Sequence, residues 1–379
     1  MQRVLVLGGG TGGALVANLL VRRLNPAEAQ VVLISATPRH MYQPGWLYAA
    51  FGWQDPRALT CDLRRLLDRK VRLEIAPVTG LDTESRSVTL ADGRSFEYDF
   101  LVIATGARLV PEEVPGLAEA GHHFYSETAV CALRQALGDF TGGRIVVGVG
   151  GLPYKCPVAP LEFTFLLADY LASRKVLADT EITYTYPIDR VFPIASVAEL
   201  ARPLLEERGV RVETFFNLEA VDPDRRLALS MEGAELPFDL LVMVPPHRGA
   251  RFLAGSSVAD VDGWVKVDRH TLEAPGHPGV FALGDAADLP VSKAGSAAHY
   301  QAPVVASRIV AAIRGGESNS LPRYEGKVIC FLETGQRRAT FLAFDYEHPP
   351  RPARPNLLRH YQKLAFNRVY CSLVPTGRI

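Results

Sequence analysis

Short apolar runs closed by glycine turns recur along the chain, several with a helical pattern behind them. Arg3-Val4-Leu5-Val6-Leu7 reads as a short buried strand, Gly8 to Gly13 follow at once, and Ala14 to Arg23 continue with helical spacing. Gln30 to Ile34 form a second apolar strand, and Asp99 to Gly106 a third that ends in a small, tight turn. Much later Gly279-Val280-Phe281-Ala282-Leu283-Gly284-Asp285 repeats that design with an aspartate. Between them, Arg144 to Pro153 is another strand and turn, and Glu181 to Tyr186 a further strand running into Pro187. Strands interleaved with helical stretches predict an α/β fold. At the far end, Asn356 to Tyr370 has helical periodicity, with Leu357, Tyr361 and Leu364 on one side, joined by Leu358 and Ala365. The proline-rich stretch Glu347 to Pro355 reads as a stiff extended connector before it.

At 379 residues the chain exceeds one ordinary hydrophobic core, so two or three lobes are expected. The boundaries read as 1–110 and 246–320 for the two parts of one dinucleotide domain, 111–245 for a second, and 321–379 for a C-terminal region. Lys plus Arg and Asp plus Glu both number 41, so no net field favours nucleic acid or an acidic substrate. Met1-Gln2-Arg3 run straight into the first strand, which leaves no room for a signal peptide and places the chain in the cytoplasm as an expectation. No apolar stretch of roughly 18 residues appears, which excludes a spanning helix but not attachment to a membrane face. Five cysteines, at 61, 131, 156, 330 and 371, are an odd number in a reducing compartment, so any disulfide is expected to be catalytic rather than structural.

The first glycine cluster sits where a dinucleotide needs it, between strand and helix. Gly8 permits the tight turn, Gly10 lets backbone approach a pyrophosphate, and Gly13 allows close helix packing, while Thr11 and Gly12 complete the loop at the helix N-terminus. The second strand ends in Ser35 where an acidic residue is usual; its hydroxyl can still bond a ribose. Together with the segments ending at Thr105-Gly106 and Asp285, this arrangement resembles the FAD site of glutathione-reductase-like flavoproteins. That resemblance implies two Rossmann-like domains and a cofactor lined by Gly8 to Gly13, Ser35, Val78, Thr105, Gly106 and Asp285, the last on the ribityl chain.

In the middle domain Gly148 and Gly150 occupy the first two glycine positions of a second dinucleotide motif, but Pro153 stands at the third. A locked φ and a ring where helix and strand should touch deny a nicotinamide dinucleotide a seat. Tyr154-Lys155-Cys156-Pro157 follow, and a cysteine beside a lysine just before a helix is expected to favour thiolate. The contexts of Cys156 and of Cys330, within Tyr324 to Gly335, and the run Ala286 to Gly295 with Ala298-His299, resemble those of the sulfide:quinone oxidoreductases and of the flavin subunit of flavocytochrome c sulfide dehydrogenase.

The resemblance implies Cys156 and Cys330 as a redox pair that hydrosulfide attacks, Glu162 as a proton carrier, and a quinone as acceptor, with Phe341, Phe344, Tyr361 and Phe366 as candidate quinone contacts. It also implies a monotopic membrane protein, peripheral on the inner face of the cell membrane. From periodicity alone, packing of the last helix on its own protein is the favoured reading, with Arg359, Lys363 and Arg368 supplying its positive charge. Ser126 stands near the position of a third cysteine found in some bacterial members, so two active cysteines are expected and Cys61, Cys131 and Cys371 are read as structural. A type II NADH:quinone reductase and a flavocytochrome-type subunit are the competing readings, and assembly into homo-oligomers is left open.

Overall fold

The computed structural model describes residues 1–316 and 320–378. Its first sheet is parallel throughout, in the order Val280–Ala282, Phe100–Ile103, Gln2–Leu7, Ala29–Ser35, Arg72–Ile75. The central strand is covered on both faces, and Val4 to Leu7 are at most 1 % exposed, which is why its sequence is unbroken apolar rather than alternating. Helix Thr11–Arg23 packs on one face beside the long helix Gly295–Arg314. The close seating of the first helix on the strand and loop before it depends on Gly13, where a Cβ would lie 1.9 Å from the Gly8 carbonyl oxygen. Gly8 itself has φ +105°, a left-handed conformation, and a Cβ there would lie 2.3 Å from the Ala104 oxygen.

The second sheet repeats the plan, again all parallel: Gly121–His122, Leu240–Val244, Gly143–Val149, Thr180–Tyr186, Val210–Thr214. Each sheet is accompanied by a three-stranded antiparallel meander, Val78–Asp82 to Ser95–Glu97 in one half and Leu218–Asp222 to Glu235–Pro237 in the other. The halves part company after the central strand. In the first, a helix begins at Thr11 straight after the glycine loop, whereas in the second the chain runs irregularly from Gly150 to Val158 before helix Ala159–Ser173 starts.

Beyond residue 320 come the antiparallel hairpin Val328–Glu333 and Ala339–Phe344, with Cys330 opposite Leu342, and then the proline-rich connector. The connector is extended and irregular as expected, held where Ser196 Oγ donates to the Pro350 oxygen at 2.6 Å and Thr340 Oγ1 to that of Ala353 at 2.7 Å. Asn356 caps the last helix, Leu357–Leu373, by accepting from the Arg359 N–H.

That helix is inverted. His360, Lys363, Asn367 and Tyr370 recur at three- and four-residue spacing on the inward face, whereas Leu357 (49 % exposed), Leu358 (65 %), Tyr361 (53 %) and Val369 (41 %) face outward. Lys363, read from the sequence as a surface charge, is 6 % exposed, and Leu364 turns partly inward against the core.

The helix is also tied down covalently, because Cys371 forms a disulfide with Cys61 on the strand Thr60–Asp62. The expectation that any disulfide would be catalytic is therefore corrected. This one joins residues 310 apart in sequence and leaves Cys131, Cys156 and Cys330 as free thiols. A cross-link over so long a loop restricts the unfolded chain. Replacing Cys61 with serine is expected to lower unfolding stability by about 2–5 kcal/mol, read by denaturant titration; an unchanged midpoint would show that the bond constrains nothing.

Candidate functional site

The glycine loop, Ser35 and the Ala104-Thr105-Gly106 turn converge at the C-terminal ends of the first sheet's strands, where ligands of open α/β sheets bind. The residues present fit the phosphates and ribityl chain of FAD. No atom lies within 4 Å of a Cβ built on Gly10 or Gly106, so both Cα atoms face open space for a ligand. The Thr105 hydroxyl oxygen is buried with no hydrogen-bond partner. Ser35 Oγ donates to the Thr37 oxygen at 2.8 Å and keeps its lone pairs to accept from a ribose. Val78 begins a strand two residues after Ala76, whose N–H donates to the Ser35 oxygen at 3.0 Å. Thr11 Oγ1 lies 2.6 Å from Tyr370 Oη, which also meets His40 Nε2 at 3.1 Å, so the last helix reaches the phosphate loop.

Asp285 follows the strand Val280–Ala282, and burial pushes its carboxyl up while Lys155 and Lys293 oppose the shift. Lys293 Nζ donates to the main-chain oxygens of Asp285 (2.9 Å) and Ala287 (3.0 Å), which fixes the turn carrying the aspartate.

Aromatic side chains pack beside the glycine turn of the middle domain. Where the chain leaves Gly150, Tyr154 packs in, 4 % exposed, its hydroxyl 3.1 Å from that of Tyr186 and 3.2 Å from the Pro157 oxygen. Tyr184 and Tyr186 stack beneath at 6.2 Å, both fully buried. Burial raises the hydroxyl of Tyr186 to about 12, so the cluster stays neutral across the physiological range.

The detour from Gly150 to Val158 carries Cys156 across to the first domain. Its N–H donates to the Lys293 oxygen at 2.7 Å, and its φ of +53° turns the chain into helix Ala159–Ser173. The strand Val328–Glu333 brings Cys330 to the same place, and each thiol is half-buried against the large core cluster. Cys156 responds to the charge of Cys330, and Glu162 faces both.

Glu162, six residues beyond Cys156, is 3 % exposed, not a surface carboxylate. It accepts from the Glu333 N–H at 2.8 Å and from Lys363 Nζ of the last helix. Burial raises Glu162 and opposes charge on Lys363, while each partner holds the other ionised. Glu333, with no exposed surface, accepts from Tyr48 Oη at 2.8 Å and meets His360 Nδ1 at 3.0 Å.

The expected thiolate environment is corrected in part. Burial pushes both thiols up, Cys330 to about 12, with Glu162 adding to the shift. Lys363 of the last helix favours both thiolates, and Lys155, its ammonium over Tyr125, interacts favourably with Cys156 as well as with Asp285. Sequence reasoning missed Lys363, Glu333, His360 and Tyr48. The polar stripe 360-363-367-370, opposite an apolar one, is the signal that could have found two of them, His360 and Lys363.

Of the candidate quinone contacts, Phe344 packs with Ala294, Val328 and Cys330, while Phe341 lies 5.4 Å from Phe331 and lines a cavity of about 450 Å³ with Ala343, His348, Pro349 and Arg351. Tyr361 and Phe366 are on the outward side of the last helix. Ser126 accepts from the Ala129 N–H as a helix cap, and Cys131 is exposed on that helix.

The family described as pyridine nucleotide-disulphide oxidoreductase matches residues 2–309. The mouse mitochondrial sulfide:quinone oxidoreductase is 28 % identical over 93 % of this chain and 80 % of its own. An NADH dehydrogenase-like protein of Mycobacterium tuberculosis is 31 % identical over 76 % of this chain and 73 % of its own. The crystal structure of the sulfide:quinone oxidoreductase from Aquifex aeolicus superimposes with a TM-score of 0.87 at 24 % identity, covering 100 % of this chain and 92 % of that one.

Removing one partner of the buried pair leaves the other uncompensated. Lys363→Met is expected to cost about 3–5 kcal/mol at pH 8. Losing the lysine raises the folded-state pKa of Glu162 further above its unfolded value. The loss is therefore smallest well below the ordinary glutamate value of 4.5, where the carboxyl is protonated in both states, and grows as pH rises. Unfolding titrations of Lys363→Met and Glu162→Gln/Lys363→Met at pH 5 and 8 check this, the double variant recovering most of the loss; a pH-independent deficit would count against it.

Proposed function

From the membership of this chain in the pyridine nucleotide-disulphide oxidoreductase family, we infer that it is an FAD-dependent sulfide:quinone oxidoreductase, which oxidises sulfide through Cys156 and Cys330 and delivers the electrons to a quinone. The observation that carries the reading is the placement of two free thiols from distant segments against one core cluster, each under the charges of the buried Glu162 and Lys363, with Tyr154 and Tyr186 packed beside the second glycine turn. Gly8 to Gly13, Ser35, Val78, Thr105, Gly106 and Asp285 hold the cofactor. Bound FAD supplies a two-electron carrier between the thiols and the quinone.

In the oxidised pair, hydrosulfide attacks the Cys156 sulfur, a new sulfur–sulfur bond forms there, the Cys156–Cys330 bond breaks, and Cys330 leaves as a thiolate that carries the electron pair. We assign Cys330 to the flavin side, because its strand packs on the Ala294–Ala297 segment that follows the Asp285 turn. The low-dielectric surroundings that oppose a thiolate also strengthen its attraction to Lys363, which is the favourable charge at the moment of cleavage.

The outward stripe Leu357, Leu358, Tyr361 and Val369, flanked by Arg359 and Arg368, suits a helix lying in the interface on the inner face of the cell membrane. No helix among the described residues is long and apolar enough to cross a membrane. Quinone entry beside this helix would bring the acceptor near Phe341 and Phe344.

Anaerobic mixing with sulfide is expected to bleach the flavin absorbance within the turnover time, and NADH is not. Cys156→Ala and Cys330→Ala should remain yellow and FAD-loaded, with sulfide reduction slowed at least about 100-fold, a typical cost of losing a covalent nucleophile. Rapid bleaching by NADH alone would instead favour the NADH:quinone reading. Leu358→Glu/Val369→Glu, which spares the inward face, is expected to abolish flotation with anionic vesicles while sulfide still reduces the flavin; unchanged flotation would remove the membrane assignment.

A further inference from the structure

The hydrogen-bond network around Glu162 does not stop at the ion pair. Lys363 Nζ bonds Glu162 and feels the charge of Glu333. The Glu333 carboxylate is held at both oxygens by His360 Nδ1, each at 3.0 Å, and at one of them by Tyr48 Oη. His360 stands one turn before Lys363 on the same helix, at the border between its inward polar face and its outward apolar one, and its side chain keeps 12 % exposure. Glu162, Lys363 and Glu333 have side chains only 4 %, 8 % and 0 % exposed. The histidine is therefore the most exposed member of this chain of groups and the one that borders the outward face.

We propose that His360 is the outer port of a proton exit that runs from the sulfur pocket through Glu162, Lys363 and Glu333. This rests on the sulfide-oxidising reading above. When hydrosulfide attacks the cysteine disulfide, the new sulfur–sulfur bond carries the hydrosulfide proton and the second cysteine leaves as thiolate. When that thiolate gives its electron pair to the acceptor, the persulfide sulfur bonds to it and releases its proton, so a sulfur bridged between Cys156 and Cys330 and one proton remain in a half-buried pocket. Glu162 takes that proton at Oε1, Lys363 loses its partner charge and turns its own proton towards Glu333, and His360 receives it from the Glu333 carboxyl and gives it to solvent.

The groups that face this route are few. Glu162 is faced by Cys156, Cys330, Lys363, the Glu333 N–H, Tyr48 and Tyr125. Around Glu333 are Tyr48, His360 and Lys363, and Arg359 lies beside His360 on its own helix, with its guanidinium over Phe341 at 5.1 Å.

The test compares FAD-loaded wild type, His360→Ala and His360→Gln in steady-state turnover with sulfide and a short-chain quinone analogue, with and without added imidazole. His360→Ala is expected to lower kcat about 10- to 100-fold, in line with the loss of one acid–base group. Imidazole should restore it in proportion to its concentration without affecting wild type, and His360→Gln, which can keep a hydrogen bond to Glu333 but cannot carry a proton, should stay as slow as the alanine variant and respond less to imidazole. Equal kcat in wild type and His360→Ala between pH 6 and 9 would overturn the proposal. So would recovery by His360→Gln without imidazole, because the histidine would then only position Glu333. If wild type itself showed no sulfide-driven turnover, the functional reading would fail rather than the relay.

Discussion

The buried pairing of Glu162 with Lys363 is the interaction on which the site depends. It joins three segments that the sequence holds far apart: the helix after Cys156, the strand that carries Cys330 and the last helix of the chain. Neither charge could be buried alone without several kcal/mol of penalty, so the last helix must turn its lysine inward whenever the thiols are together. Burying an ion pair is rarely the cheapest way to stabilise a protein. Its presence beside two thiols is better explained by the chemistry it permits.

The same economy accounts for the middle domain. A parallel sheet with a glycine turn after its central strand is ready to hold a dinucleotide. Here the turn does not enter a helix, and the freed segment from Gly150 to Val158 delivers Cys156 to the neighbouring domain while Tyr154 closes the space left behind. A single local departure thus reshapes the turn and moves a cysteine towards the neighbouring domain. Pro153 marks it in the sequence, and the tyrosine cluster shows it in space.

Much of this was legible before any coordinates. The strand–glycine–helix order announces the first domain because its glycines answer close approaches, as Gly13 to Gly8 and Gly8 to Ala104 demonstrate, or leave open space, as at Gly10. Cys156 and Cys330 stood out by the company they keep in sequence. Lys363 did not, since a lysine on an amphipathic helix looks the same whether it faces solvent or a carboxylate 201 positions earlier. Hydrophobic periodicity reports that a helix has two faces, but not which one is inside. Here the usual assumption pointed the wrong way. The Cys61–Cys371 bond was equally hidden, because nothing local links residues 310 apart.

The inverted helix unites these features. A soluble helix normally buries its apolar stripe, and one that buries His360, Lys363, Asn367 and Tyr370 instead must recover stability elsewhere. The disulfide to Cys61, the hydroxyl contact to Thr11 and the bonds from Asn18 and Arg22 to the tail at Pro375 and Gly377 supply anchors at its C-terminal end. Fixed there, the helix can present leucine, tyrosine and valine outward while its inner face serves the sulfur pocket. One element then has a surface suited to an apolar phase and a polar interior directed at the thiols, separated by the width of a single helix. Anything that displaced it from the outside would also withdraw Lys363 from Glu162, so the outward stripe and the buried ion pair are coupled through one rigid rod.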